Sequence, residues 1–149
     1  MIGANLTTAT AGSVAAVLDS HMGADGKKFI YVNAGSAIAQ YDVVAITELG
    51  VAVPVTKALA DDGHKIAVAQ VAIPSGEYSY VQTCGPCTLN VLASCAADVA
   101  LYTSATGGSL DDTATSQTKI LGIVATVTDG GSGGPVAGFM ANDPLTVIA

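Results

Sequence analysis

Cys84-Gly85-Pro86-Cys87 is the stretch whose residue types and spacing come nearest to chemistry. Two thiols three positions apart serve thiol–disulfide exchange when a helix amino terminus or a nearby cation stabilises one thiolate. Here no Trp precedes the pair, and Thr88-Leu89-Asn90-Val91-Leu92 after it reads as a strand, so the four residues are expected to form a hairpin turn. A disulfide within that turn is left open, and Cys95 has no evident partner. Zinc would need a fourth ligand, and His21 and His64 lie in unrelated segments, so no metal is expected.

The carboxylates give as little. Asp61-Asp62-Gly63 and Asp111-Asp112 lack the alternating oxygen spacing of a calcium loop and read as solvated loop residues. Asp129-Gly130-Gly131-Ser132-Gly133-Gly134-Pro135 lacks the Lys and the following helix of a phosphate-binding loop, so it reads as a flexible turn. No Gly-x-Ser-x-Gly elbow selects a Ser, His and Asp. The expectation is a protein with no catalytic set and no cofactor: not an enzyme.

The elements that would position any site are strands. In residues 66–73, Ile66, Val68, Gln70 and Ala72 fall on one face and Ala67, Ala69, Val71 and Ile73 on the other, so the strand is expected to be buried on both sides. Pro74-Ser75-Gly76 ends it and reverses the chain before Tyr78, Tyr80 and Gln82 alternate with Ser79 and Val81. With the strand after Cys87, this gives a three-strand meander as the core. Further short runs are centred on Phe29-Ile30-Tyr31-Val32, Val43-Val44-Ala45-Ile46 and Val51-Ala52-Val53. Pro54 is expected at an edge or bulge, and residues 56–60 as a helical turn. A short strand over 99–103, an exposed polar loop over 104–118, a long strand over 119–127 and closing strands over 136–140 and 145–148 bring the total to nine or ten. The pattern predicts a mainly β, single-domain antiparallel β-sandwich or β-barrel over residues 27–149.

Residues 1–26 are set apart. Val14, Val17, Leu18 and Met22 step by three and four, with Ser13 as N-cap and Gly23 as C′ residue, which predicts a short amphipathic helix on an N-terminal arm. The arm either covers one end of the β-domain or reaches a neighbouring subunit. Leu6, Val14, Val17, Leu18 and Met22 are its candidate contacts.

Composition narrows the partners. Half of the 149 residues are apolar, mostly Ala and Val, with 17 Gly, five Tyr, two Phe and no Trp, which predicts a thin, closely spaced core. The net charge of −7 and only five Lys and Arg leave no phosphate-neutralising patch, so no nucleic-acid partner is expected. No run approaches a membrane span, and no basic region precedes an apolar one at the amino terminus, which points to synthesis in a cytoplasm. Charged residues are 11% of the chain against a usual ~25%. Surface so poor in charge is expected to be covered by a partner.

Three segments then belong together: Gly35-Ser-Ala-Ile-Ala-Gln-Tyr-Asp42-Val-Val-Ala-Ile46, Ile66-Ala-Val-Ala-Gln-Val-Ala-Ile-Pro-Ser-Gly76-Glu-Tyr-Ser-Tyr-Val-Gln82 and Gly122-Ile-Val. Over roughly residues 28–127 they resemble tailed-bacteriophage capsid decoration, or cement, proteins. The resemblance implies a small β-rich structural protein on the capsid exterior, made in the host cytoplasm, that clamps neighbouring subunits of the major capsid protein and stabilises the head. Threefold junctions of such a shell favour a homo-oligomer, a trimer above all. The cysteines and the N-terminal segment fall outside the pattern. Two alternatives of other classes remain: a thiol–disulfide or metal-binding protein using Cys84 and Cys87, and a carbohydrate-binding β-module on a virion surface.

Overall fold

Backbone pairing closes the strands into rings, which removes the open edges that a short-stranded β protein otherwise exposes. The structure, a computed structural model, describes residues 8–13 and 15–147. In chain order it contains β1 (Ser20–Met22), β2 (Lys28–Ala34), β3 (Val43–Ile46), β4 (Val51–Pro54), α1 (Lys57–Asp61), β5 (Lys65–Val68), β6 (Tyr78–Val91), β7 (Leu101–Thr103), β8 (Leu110–Asp111), β9 (Lys119–Ala125) and β10 (Gly134–Val147). Strands β2, β4, β3, β5 and β6 form a five-stranded barrel that closes where β6 pairs with β2. Strand β6 continues beyond it, and β10, β9, β7 and β8 follow until β8 returns to β6 at Val91 and Leu110. The ladders are antiparallel except β2 with β4 and β6 with β8.

The mainly β, barrel-type architecture expected from sequence is therefore present, and so is the two-sided burial around Ile66. Val44, Ile46, Ala67 and Ala69 face the barrel interior with Ile30, Val32, Ile38, Ala52, Ile73 and Val81. Val43, Ala45, Ile66 and Val68 face a second core with Leu89, Leu101, Leu110, Ile120, Ile123 and Met140. Strands β3 and β5 are thus a wall shared by two cores. Thr56 caps α1, its Oγ1 accepting from the Leu59 amide at 3.4 Å, as the helical turn over 56–60 required. Pro54 ends β4 opposite Val44, where its missing donor is harmless. Gly76 takes φ +80° in the turn before β6.

Several expectations are corrected. Cys84-Gly85-Pro86-Cys87 is no hairpin turn: it lies inside the 14-residue β6, so the three-strand meander does not exist. Gly85 takes φ +91°, and the pairing with β2 slips between Lys28–Cys84 and Phe29–Gln82, a bulge that bends β6 from one ring into the next. The Gln82 side chain donates to the carbonyls of Cys84 at 2.8 Å and Pro86 at 2.7 Å, so the bend needs no turn hydrogen bond. The strand around Ile66 ends at Val68, and Ile73 instead exchanges both backbone hydrogen bonds with Ile38 at 2.9 Å. The polar loop over 104–118 contains β8 with Leu110 fully buried. The two closing strands are one, β10, with a register shift between Met140 and Leu145.

The N-terminal helix is also corrected: among the described residues none of 8–26 is helical. Strand β4 reaches β2 only at Asn33 and Ala34, so the rest of that edge needs another partner. Residues 18–22 supply it, with Tyr31 N–H donating to Asp19 at 2.8 Å and Leu18 N–H donating to Tyr31 at 2.7 Å, followed by β1. Leu18 takes φ 71°, which no helix accommodates. Thr10 pairs with Tyr78, and Ala15 packs on a cluster of Phe29, Tyr31 and Tyr80 outside the barrel. Tyr31 is 1% exposed and Tyr80 3%.

Two consequences are measurable. Gly85→Val should lower unfolding free energy by about 1–3 kcal/mol, since a β-branched residue is strained at positive φ and its Cβ would lie 3.2 Å from the Lys27 backbone. Urea titration reads this, and an unchanged midpoint would place Gly85 in ordinary extended backbone. Deleting residues 1–24 should cost roughly 2–5 kcal/mol by uncovering Tyr31 and Tyr80, seen as a lowered melting temperature with raised tyrosine accessibility.

Candidate functional site

All three cysteines are free thiols, Cys84 half-buried and Cys87 and Cys95 buried. Cys84 and Cys87 lie on either side of the Gly85 bulge and are not joined. Burial pushes the Cys87 thiol up to about 12, against a small opposing pull from Lys27. Burial, then the charges of Asp112 and Asp111, pushes Cys95 up to about 11. Both stay protonated at neutral pH, the reverse of an activated nucleophile.

Sequence reasoning missed one grouping. Cys95, Asp111 and Asp112 bring their ligand atoms within 4.8 Å of one another, the only such set among the described residues. Its signal was hidden because Cys95 and the aspartates are brought together only by the pairing of β6, β7 and β8. Two of the three side chains already serve the loop after β6: Asp112 Oδ2 accepts from the Ala96 amide at 3.0 Å, and Cys95 Sγ donates to the Ala96 carbonyl at 3.8 Å. His21 and His64 join no such set; His64 Nε2 lies 4.0 Å from Asp62. The glycine-rich turn is organised by Asp129, whose Oδ2 accepts from the amides of Gly131 at 2.7 Å, Ser94 at 2.9 Å and Gly133 at 3.0 Å. These bonds, Gly133 foremost, hold its carboxyl below the usual range. Asp61 is lowered likewise by Lys57 and Thr118, both hydrogen-bonded to it.

Of the arm residues expected to make contacts, Leu6 and Val14 lie outside the described residues. Val17, Leu18 and Met22 do not form one strip. Val17 and Leu18 pack over Gly50, where a Cβ would collide with Val17, and Met22 projects from β1 at 67% exposure. Leu18 also lines a cleft of about 540 Å³ at the barrel mouth, with Ile30 and Ile46 below and Glu48, Asp62, His64 and Lys65 around it.

The larger feature is the outer face of β6, β10 and β9. Register sets Pro86, Phe139 and Val124 side by side across the three strands, with Thr88 beside Ala137 in the next row. Phe139 is 47% exposed and Leu121, also outward on β9, 44%. On this face β6 presents Pro86, Thr88 and Asn90, β10 presents Pro135, Ala137, Phe139 and Ala141, and β9 presents Leu121 and Val124, with Lys119 outward at its start. Among the described residues Lys119 is the one charge on it.

The thiols give a pH test with a defined sign. Groups whose folded value is raised lend stability that is complete below their unfolded value and lost as pH rises through the folded one. For Cys87 that window runs from 9.0 to about 12; Tyr80, raised by burial above its usual 10.0, adds in the same direction. The melting temperature should therefore fall across this range, and less steeply in Cys87→Ala. At pH 8 a thiol reagent should find one fast equivalent, Cys84, and two that react only on unfolding. Comparison with protein-family models, with curated proteins and with solved structures found no significant match.

Proposed function

We propose that this chain is a structural binding protein that lays the outer face of β6, β10 and β9 on a preformed protein lattice, the exterior of a tailed-bacteriophage capsid, and there steadies the major capsid protein. One observation carries the reading. In a chain of net charge −7, three adjacent strands present a face on which, among the described residues, Lys119 at one end is the one charge, and which is centred on a half-exposed Phe139. Exposed apolar surface of this kind, with charge depleted at its centre and an aromatic anchor, is the composition of a protein interface. Closed rings on a bulged central strand make a stiff platform, which limits the ordering cost of docking. The trimer belongs to the same proposal through linkage: joined copies raise the effective concentration of each contact, so each can be weak by itself. The thiol–disulfide alternative has no comparable support, since Cys87 is buried with its proton held tightly. Among the described residues no helix is long and apolar enough to cross a membrane.

Mixing the protein with capsid shells that lack it and sedimenting them tests the reading. The wild type should pellet with the shells, while Phe139→Asp and Leu121→Asp should each weaken retention about tenfold or more, as loss of a central anchor does. Both substitutions are at half-exposed positions, so melting temperatures should stay close to wild type. Wild-type protein left in the supernatant well above micromolar concentration would overturn the proposal.

A further inference from the structure

Beside this face lies a polar recess of about 230 Å³, lined by Lys27, Gln70, Pro86, Cys87 and Thr88. It is continuous with the face, because Pro86 and Thr88 belong to both and Pro86 sits directly across from Phe139. Most of its polar side has its partners. Gln70 is spent on β6, donating from Nε2 to the Thr88 carbonyl at 3.0 Å and accepting the Thr88 amide on Oε1 at 3.4 Å. Lys27 is different: its backbone is held by Gly23 and Ala24, while among the described residues its ammonium enters no ion pair. Lys27 lines the recess together with Pro86 and Cys87. A chain with five basic residues against twelve acidic ones places one of those five at the margin of its docking face.

Resting on the docking reading above, we propose that the recess receives a carboxylate: the capsid surface carries an Asp or Glu side chain beside the apolar patch that covers Phe139, and Lys27 pairs with it. The ion pair sits at the rim, where complementary charge fixes register and rejects wrong placements more than it adds affinity. Neighbouring positions on the lattice that offer an apolar patch without the acid are then disfavoured. The protein's own acidic loops would be the source if the occupant were a second copy of this chain.

The same sedimentation assay, run across salt, separates these outcomes. Lys27→Gln should weaken retention on capsid shells about fivefold at ~0.05 M NaCl, and Lys27→Glu more, while Lys27→Arg stays near wild type. Raising NaCl to ~0.5 M should weaken wild type and leave Lys27→Gln unmoved, as screening of one pair requires. Equal salt dependence in wild type and Lys27→Gln, with Phe139→Asp still defective, overturns the carboxylate inference and leaves the docking face standing. Phe139→Asp pelleting like wild type overturns the docking reading and this inference with it. A change in oligomer mass by light scattering in Lys27→Glu, with capsid retention intact, assigns the recess to a second copy and likewise overturns the proposal.

Discussion

Strand β6 has to belong to two closed rings at once, and the surrounding structure answers that demand. Before the bulge, Ser79 and Val81 point into the barrel; after it, Cys87, Leu89 and Val91 fill the second core. A one-residue slip reverses which side chains face which way, so the bulge lets one strand serve interiors lying on different sides of the β3–β5 wall. The bend would strand two carbonyls, and a buried acceptor without a partner costs about 1–3 kcal/mol. Gln82 answers both, and Gln70 replaces a strand partner for Thr88 where β6 leaves β5. Two glutamine amides thus do the work of the ladder across the junction.

The small-residue composition follows from the same geometry. A barrel of five strands is narrower than the eight-stranded kind whose interior side chains just fill. Its core is accordingly built from Ala34, Ala52, Ala67, Ala69, Val32, Val44 and Val81, with isoleucines at positions 30, 38, 46 and 73. The aromatic residues are displaced outward. Phe29, Tyr31 and Tyr80 lie on the outer surface of β2 and β6, with Tyr31 and Tyr80 ring centroids 4.9 Å apart, and need the N-terminal segment over them. That need, together with the hydrogen-bonding edge that β2 offers, explains why residues 18–22 run along β2 and form no helix.

What was legible in the sequence was local. Alternation in residues 66–69 gave two buried faces because both are filled by the strand's own neighbours, and the run over 56–60 read as the helical turn that α1 supplies. The misreadings arose where a local signal met a distant partner. Gly85-Pro86 has turn chemistry, but Phe139, more than fifty positions later, pairs with Pro86 and keeps the chain extended. Val17, Leu18 and Met22 have helical spacing, but an isolated helix that short is marginal, and the hydrogen bonds that β2 offers to residues 18–22 outweigh it. The face proposed for docking was illegible for the same reason: Pro86, Phe139 and Val124 become neighbours only through the register of three strands. Composition had indicated that some surface lacked charge, without saying which.

Where the charge went explains why that face is bare. Asp42 accepts from the Ala39 amide at 2.9 Å and from Asn90 at 3.0 Å, Asp112 holds Ala96, Asp129 holds three amides, and Asp61 ties α1 to Thr118 and Lys57. Asp42, Asp112 and Asp129 satisfy backbone amides that the short strands leave unpaired, while Asp61 at the end of α1 accepts from the side chains of Lys57 and Thr118. Asp61 and Asp129, both lowered from 3.8, lend stability that is present above the ordinary carboxylate range and lost as pH falls through their lowered values. The raised thiols act at the alkaline end, so loops and core define opposite limits of one neutral plateau. Acidic residues used in this way are fixed by the loops they close and give no information about the sign of a partner. The outer face of β6, β10 and β9 between those loops is left mostly to apolar and small polar side chains, with Lys119 at one end and Lys27 at its margin as the charges that would orient a partner under the proposed docking.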